Sequence, residues 1–439
     1  MAGGIFTAYN KKRAGVYINI KGAAKADAGL GESGVAAVPV ECGFGPDGVV
    51  TLESGADTLG IFGESLASEA MRPIREAMRG ASKVLAMRLN GGGTKASGTL
   101  GVVTATAAYG GASGNRVKLR AEALVGGKYR VSTLYDNAVV DEQDVAAAGD
   151  LANNSWVTFS GAGVITEGSV SLAGGANTEV TAQSWSAFLA ALESLRFGAM
   201  AVPVTEALAE SVLPVVKAYV IRLRDTVGKK FAAVVPAYDG QEPMDHEAIV
   251  QVKNGVIMED GAVVDNRIAT CYVAGAYAAA GPARSLTFQE YSGAVDVTKN
   301  YTDTEIGELL TDGMFLFTLG DRVRIEQDVN SLTTYTAERP SYFRKARLIR
   351  TLDAIAQDFK DIFEREFVGK VQNNVDGRAL FSARCADYLD TLAALGAIEA
   401  REDGDIEVAL GSEPDSLIVA VAIRAVDAVE KIYMTVSVA

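Results

Sequence analysis

The sequence holds one histidine, His246, and three cysteines, Cys42, Cys271 and Cys385. A lone histidine excludes the histidine-rich ligand sets of catalytic zinc sites and leaves any hydrolase a single candidate base. The cysteines are odd in number, far apart and set among small or apolar neighbours, which suits buried thiols in a reducing compartment better than disulfides or metal ligation. Positive charge is also short, with 41 Lys and Arg against 55 Asp and Glu and a net charge of −14. A chain this acidic is repelled by phosphate backbones and anionic lipid, so neither nucleic-acid nor direct membrane binding is expected. Long hydrophobic runs are missing: the longest, 417–423, is strand-sized, and the opening MAGGIFTAYNKKRAG has no apolar segment ahead of its basic residues. A soluble product of a cytoplasm is the expectation.

At 439 residues the chain exceeds the size of one hydrophobic core, so two to four structural units are expected. Alternation predicts strands at 16–20 and 35–40, a helical stretch over 64–78 and a strand over 83–89. After Gly91-Gly92-Gly93 the texture turns Thr/Val-rich and Gly-punctuated up to Gly174-Gly175, which reads as a β-rich insertion of about eighty residues. Alternating helix and strand resume over 185–235 and continue with strand-like pieces at 247–252, 262–264, 315 and 323–325 and a small-residue helix at 270–280. A long amphipathic helix is predicted over 341–367, with Ile349, Leu352, Ile355, Phe359 and Phe363 recurring at threes and fours. A helix at 387–394, an acidic turn at 401–405 and strands at 406–410, 416–424 and 432–438 complete the reading.

Motifs with chemistry fail on context. Gly29-Leu-Gly31-Glu-Ser-Gly34 spells a dinucleotide fingerprint, but no apolar strand precedes it and VAAVPV, which follows, is no helix. Gly228-Lys229 lacks the glycine of a Walker loop five positions earlier, where Leu223 stands. Gly63-Glu-Ser65 approaches a nucleophile elbow without its second glycine. His246 has no second histidine at zinc-protease spacing, and Glu402-Asp403-Gly404-Asp405 lacks the ligand pattern of a calcium loop, reading instead as a solvated hairpin turn. No catalytic residue, metal site or cofactor is therefore expected.

Two features remain. Both ends of the chain alternate like strands, at 16–20 and 432–438, although termini fray unless a sheet receives them, their own or a neighbour's. The long helix is basic at its start (Arg344, Lys345, Arg347, Arg350) and acidic toward its end (Asp358, Asp361, Glu364, Glu366), which opposes the helix macrodipole. That layout predicts an acidic partner for the basic end, or else local pairing such as Arg350 with Asp353.

The order of YGGASGNRV (109–117), RLRDTVGKKFAAV (222–234), DHEAIVQVKNG (245–255), AGAYAAAGPARS with EYSGAVDV (274–297), VRIEQDVNSLTT (323–334), RLIRTLD (347–353), GKVQNNVDG (369–377) and VDAVEKIYMTVSV (426–438) resembles the contractile tail sheath family of phages, prophages and R-type bacteriocins over almost the whole chain. Gly110 and Asn177-Thr178 depart from the pattern, where many relatives carry proline and an Asp-Gly. The resemblance implies a multi-domain mixed α/β fold. It consists of an arm with a strand at 1–25, a discontinuous α/β sheath domain at 26–95 and 180–340, an inserted β-rich outer domain at 96–179, an inner α+β domain at 341–430 and a strand arm at 431–439. It implies a structural, non-enzymatic subunit stacked in hexameric rings around a tail tube, with baseplate and tail terminator components as further partners. Assembly in a host bacterial cytoplasm would precede residence in a virion tail or released tail-like particle. Strand exchange between subunits would use Val16, Tyr17, Ile18 and Ile20 with Ile432, Tyr433, Met434, Thr435, Val436 and Val438. Tube contact would use Arg344, Lys345, Arg347 and Arg350. The rival readings are another self-assembling structural protein (tube, capsid or S-layer-like) and an α/β hydrolase built on Ser65 and His246.

Overall fold

The structure is a computed structural model that describes residues 2–4, 15–17 and 34–436. A seven-stranded sheet forms its centre, in the order Met314–Phe315, Ile249–Val252, Ala232–Pro236, Ala199–Ala201, Val35–Val40, Lys83–Arg88, Val50–Glu53. Neighbours run parallel except the last pair. Parallel strands are covered on both faces, which is why these segments read as continuous apolar runs. The two-residue period then sorts side chains between two cores. Ala36, Val38, Val84, Ala86 and Val234 pack beneath the helices Arg72–Ala77 and Asn266–Ala280, whereas Ala37, Leu85, Met87, Met200 and Val235 pack beneath Ala182–Leu192 and Glu206–Ile221. The small residues of Asn266–Ala280 have a steric cause: a Cβ on Gly275 would fall 2.1 Å from the Ala77 carbonyl oxygen of the neighbouring helix. Mixed α/β architecture is thus as expected, with the helical stretch before Lys83 split into Thr58–Phe62 and Arg72–Ala77.

Between Lys83–Arg88 and Ala182–Leu192 the chain builds two antiparallel sheets, one of Ala138–Val145, Lys128–Tyr135, Val117–Leu124 and Gly168–Ser171, the other of Val157–Ser160, Val103–Ala107 and Ser97–Leu100. Their shared core includes Phe44 from the loop after Val35–Val40, stacked on Trp156 with ring centroids 5.0 Å apart. The Tyr135 hydroxyl donates to the Gly63 carbonyl at 2.6 Å, and the buried guanidinium of Arg88 donates to the Gly110 carbonyl at 3.0 Å. The two family departures lie in this stem. A Cβ on Gly110 would sit 1.8 Å from the Gly93 carbonyl oxygen, so only glycine fits. Asn177 accepts the Ala112 amide at 2.8 Å, and the Thr178 hydroxyl donates to the Gly91 carbonyl at 2.7 Å.

After the turn Ser341–Arg344, the long helix Ala346–Ile362 ends in a wider π-type turn, Phe363–Phe367. A second helix, Val375–Ala394, packs Phe381, Cys385, Tyr388, Leu389 and Leu392 against Ile355, Ile362 and Phe367. It starts twelve residues earlier than the sequence suggested, at an Asn374 cap that accepts the Gly377 amide at 2.8 Å. Its first turns leave Val375 and Leu380 exposed, which removes the polar–apolar contrast that marks an amphipathic helix. A hairpin of Ile406–Leu410 and Leu417–Val421 follows. The acidic segment 402–405 precedes this hairpin instead of forming its turn, and Arg424 neutralises it from 2.8 Å off Glu402.

Candidate assembly surfaces

The C-terminal segment leaves the body from a defined anchor. The Glu399 amide donates to the Arg424 carbonyl at 2.8 Å and the Val426 amide to the Ala397 carbonyl at 3.1 Å, which ties the segment to the end of the Val375–Ala394 helix. Glu430 is then held by Gln327 at 2.6 Å, by the Thr287 hydroxyl at 2.8 Å and by the Lys345 ammonium. Burial pushes the Glu430 carboxyl up, but these three donors outweigh it and hold the group below the usual carboxylate range. Beyond this anchor Ile432, Tyr433, Met434 and Val436 are 77 to 91 % exposed. Such a run of large apolar side chains in water is costly, and residues 432–436 form no strand in the isolated chain. The expected strand at 432–438 is therefore absent from the single subunit as far as it is described, and Val438 lies outside the described residues.

At the other end Gly15–Tyr17, which contains Val16 and Tyr17, pairs in parallel with Ala2–Gly4. Ile18 and Ile20 lie outside the described residues. The hairpin is the complementary feature. Its inner face packs Ile406, Val408, Leu417 and Val421 on the helical core, while Leu410 and Ile418 are exposed and neither outer edge has a partner strand among the described residues. Two strands are a marginal sheet, and their open edges offer unpaired backbone donors and acceptors.

The basic end of the long helix, for which an acidic partner or else local pairing was expected, is engaged within the subunit. Arg350 is buried and bidentate to Asp328, at 2.6 and 3.3 Å, and also donates to the carbonyls of Arg284 and Gly281. Arg347, also buried, donates to the Gly396 carbonyl at 2.9 Å. Lys345 is engaged by Glu430, and half-buried Arg344 donates to the Leu310 carbonyl at 3.2 Å. Nor does Arg350 pair with Asp353, which instead receives both guanidinium nitrogens of Arg224 at 2.7 Å. At the acidic end Asp361 pairs with Arg196 and Asp358 accepts the Tyr388 hydroxyl at 2.7 Å. The charges that oppose the macrodipole thus answer fixed partners on surrounding elements, and those ion pairs outweigh a dipole term of a few tenths of a kcal/mol.

The hydrolase pair is not assembled. Ser65 is exposed in a turn, whereas His246 is buried with Nδ1 accepting the Ala248 amide at 3.0 Å and its carbonyl accepting the Ser331 hydroxyl at 3.1 Å. Gly34, last of the dinucleotide-like glycines, leads into the strand Val35–Val40 and not into a helix. The three thiols are free and buried, and burial pushes Cys42 up to about 11 and Cys271 and Cys385 up to about 12. Sequence reading missed Glu430 and the open hairpin edges, because neither a buried anchor nor an unpaired edge has a local signature.

Comparison with known proteins points to one family. Residues 178–331 match the phage tail sheath protein central domain and residues 338–439 the phage tail sheath C-terminal domain. The Phage-like element PBSX protein XkdK of Bacillus subtilis is 35 % identical over 471 aligned positions that cover 100 % of both chains. The sheath tail protein of Desulfitobacterium hafniense is 39 % identical at a TM-score of 0.83, covering 96 % of this chain and 99 % of that one. The sheath tail protein of Listeria innocua is 33 % identical at a TM-score of 0.82, covering 92 % and 95 %.

Proposed function

The chain belongs to the phage tail sheath family and is a structural subunit of a contractile tail sheath, and from that premise we propose that its two arms join subunits by strand exchange. In this reading residues 432–438 leave one subunit and extend the open-edged hairpin of another, with 16–20 serving a second edge. The observation that carries it is the pinned Glu430 followed by the exposed apolar side chains of Ile432, Tyr433, Met434 and Val436. Edge addition would satisfy the hairpin's free backbone groups and cover those side chains together.

Further parts of the proposal extend to the particle. Subunits stack as hexameric rings around a tail tube, between baseplate and terminator components, after assembly in a bacterial cytoplasm. On triggering they repack with greater mutual burial while the exchanged strands stay joined, so the work comes from assembly energy and not from nucleotide or catalysis. Residues 26–95 with 180–340 act as the sheath domain, 96–179 as an outward insertion and 341–430 as the inner domain. Of the four cations expected at the tube, Arg344 remains the candidate contact, since Lys345, Arg347 and Arg350 are engaged inside the subunit.

The test is negative-stain microscopy of the full chain beside a form truncated before Ile432, each at low and high salt. Wide hollow tubes from the full chain alone support strand exchange. Tubes from both forms would remove the arm from the mechanism.

A further inference from the structure

We propose that the guanidinium of Arg324, stacked on Phe288, is a docking site for a carboxylate on a second copy of this chain. The place follows from the strand pattern. In the strand Val323–Ile325, paired with Phe317–Leu319, the two-residue period buries Val323 and Ile325 and turns Arg324 outward. Its cross-strand neighbours are Thr318 on one side and Glu290 on the other. Among the described residues Arg324 is the one arginine with neither a hydrogen bond nor an ion pair. The carboxylates at neighbouring positions are engaged elsewhere: Glu290 takes the Arg322 guanidinium at 2.5 Å, and Glu326 accepts the Thr318 hydroxyl at 2.7 Å.

The group is held in place although it is unpaired. Its Cζ lies 3.8 Å from the centroid of the Phe288 ring, beside Gly320, where an added Cβ would stand 3.4 Å from it. A guanidinium that stacks on a ring keeps its in-plane donors free while losing side-chain freedom. Nε is covered, whereas Nη1 and Nη2 are accessible and without a partner, so the end of the fork is open to a two-oxygen acceptor. Phe288 holds its ring there at a φ of +60°, a left-handed backbone that a bulky side chain adopts at a cost. Its amide donates to the Ile325 carbonyl at 2.8 Å and the Ile325 amide to the Gln289 carbonyl at 3.0 Å, which fixes that backbone. The ring is 54 % exposed and fills no core, so the strain secures the stacked surface. Charge and position choose the occupant. With 55 Asp and Glu against 41 Lys and Arg, a neighbouring copy offers carboxylates in excess. Thr287, next to Phe288, holds Glu430 at the root of the C-terminal segment, so the site borders the surface from which the exposed side chains of 432–436 leave. Exposed Phe288 and Leu319 add apolar contact area around the cation. The choice of a second copy rests on the reading that subunits join near this root, whereas the unpaired guanidinium does not.

Two variants of the full chain test the contact. Arg324→Lys keeps the charge and supplies an amine. Its tubes, assembled from equal parts of unlabelled and 15N-labelled subunits, are treated with a carbodiimide, which couples an amine to a touching carboxylate and takes up the water as a urea. Mass spectrometry should find an amide from position 324 of one isotope to an Asp or Glu of the other, absent from unassembled subunits. Arg324→Gln should leave the thermal midpoint of the unpolymerised subunit unchanged, because it breaks no bond inside it. It should raise the protein concentration needed for tubes about tenfold, the loss of a hydrogen bond to a charged group. A lower midpoint, or coupling confined to one isotope, would make the guanidinium an internal support and overturn the proposal. Assembly of Arg324→Gln at the wild-type concentration, while truncation before Ile432 abolishes tubes, would overturn it and leave strand exchange standing. Tubes from the truncated chain that are still lost with Arg324→Gln would refute the arm and keep this contact.

Discussion

Arg350→Met is the substitution that most directly separates a subunit-internal role from a tube-facing one. Arg350 is buried, bidentate to an Asp328 that is 1 % exposed, and it also donates to two carbonyls. Methionine matches the aliphatic stem but leaves Asp328 as a buried carboxylate whose remaining donor at Oδ2 is the Leu286 amide at 3.0 Å. Removing one partner of a buried pair costs about 3–5 kcal/mol, a large share of the roughly 5–15 kcal/mol that stabilises an ordinary domain. Urea denaturation of the unpolymerised subunit, followed by far-UV circular dichroism, should show the midpoint falling clearly. Asp328→Asn added to Arg350→Met removes the orphaned charge while keeping an acceptor for Leu286, so it should recover about 1–3 kcal/mol as a coupling energy. A cation that served only a partner would leave the midpoint untouched and reduce tube binding alone. An unchanged midpoint in the single variant, or strict additivity in the pair, would refute the internal role.

Gly110→Ala places a Cβ 1.8 Å from the Gly93 carbonyl oxygen and should lower the thermal midpoint by an amount corresponding to about 2 kcal/mol or more, whereas Gly149→Ala, in open space and without a positive φ, should cost less. Burial opposes ionisation of Asp245, but the backbone and hydroxyl donors of Thr334 and Thr333 outweigh it and hold its pKa at about 2. A depressed folded-state pKa contributes stability above the unfolded value near 3.8 and loses it as pH falls through about 2. Asp245→Asn should therefore cost on the order of 1 kcal/mol at neutral pH, since solvent screens this partly exposed group, and the difference from wild type should close in acid denaturation curves below about pH 2. Cys42, Cys271 and Cys385 should resist a thiol reagent in the native subunit and all react in denaturant, whereas rapid native labelling would contradict their burial. Tube formation by a chain of net charge −14 should strengthen with ionic strength, measured by light scattering, because salt screens subunit repulsion.

The sequence by itself determined the layout of elements. Continuous apolar segments such as VAAVPV and FAAVVP could be satisfied only by a sheet covered on both faces, and the Thr/Val-rich, Gly-broken stretch between them only by short antiparallel strands. It also showed which motifs fail locally, since His246 has no second histidine at zinc-protease spacing and Gly63-Glu-Ser65 lacks the second glycine of a nucleophile elbow. Where local contrast vanished, legibility ended. The first half of Val375–Ala394 exposes apolar side chains and was passed over, and residues 432–436, which alternate like a strand, form none in the single subunit. The tertiary structure alone decided what the charged helix answers to. Arg350 meets Asp328, Asp353 meets Arg224 and Asp361 meets Arg196 across separations of 22, 129 and 165 residues, and no periodicity encodes a partner that far away. The same holds for Glu430 and Lys345, because an anchor is defined by groups that converge in space, and convergence is a property of the packed chain.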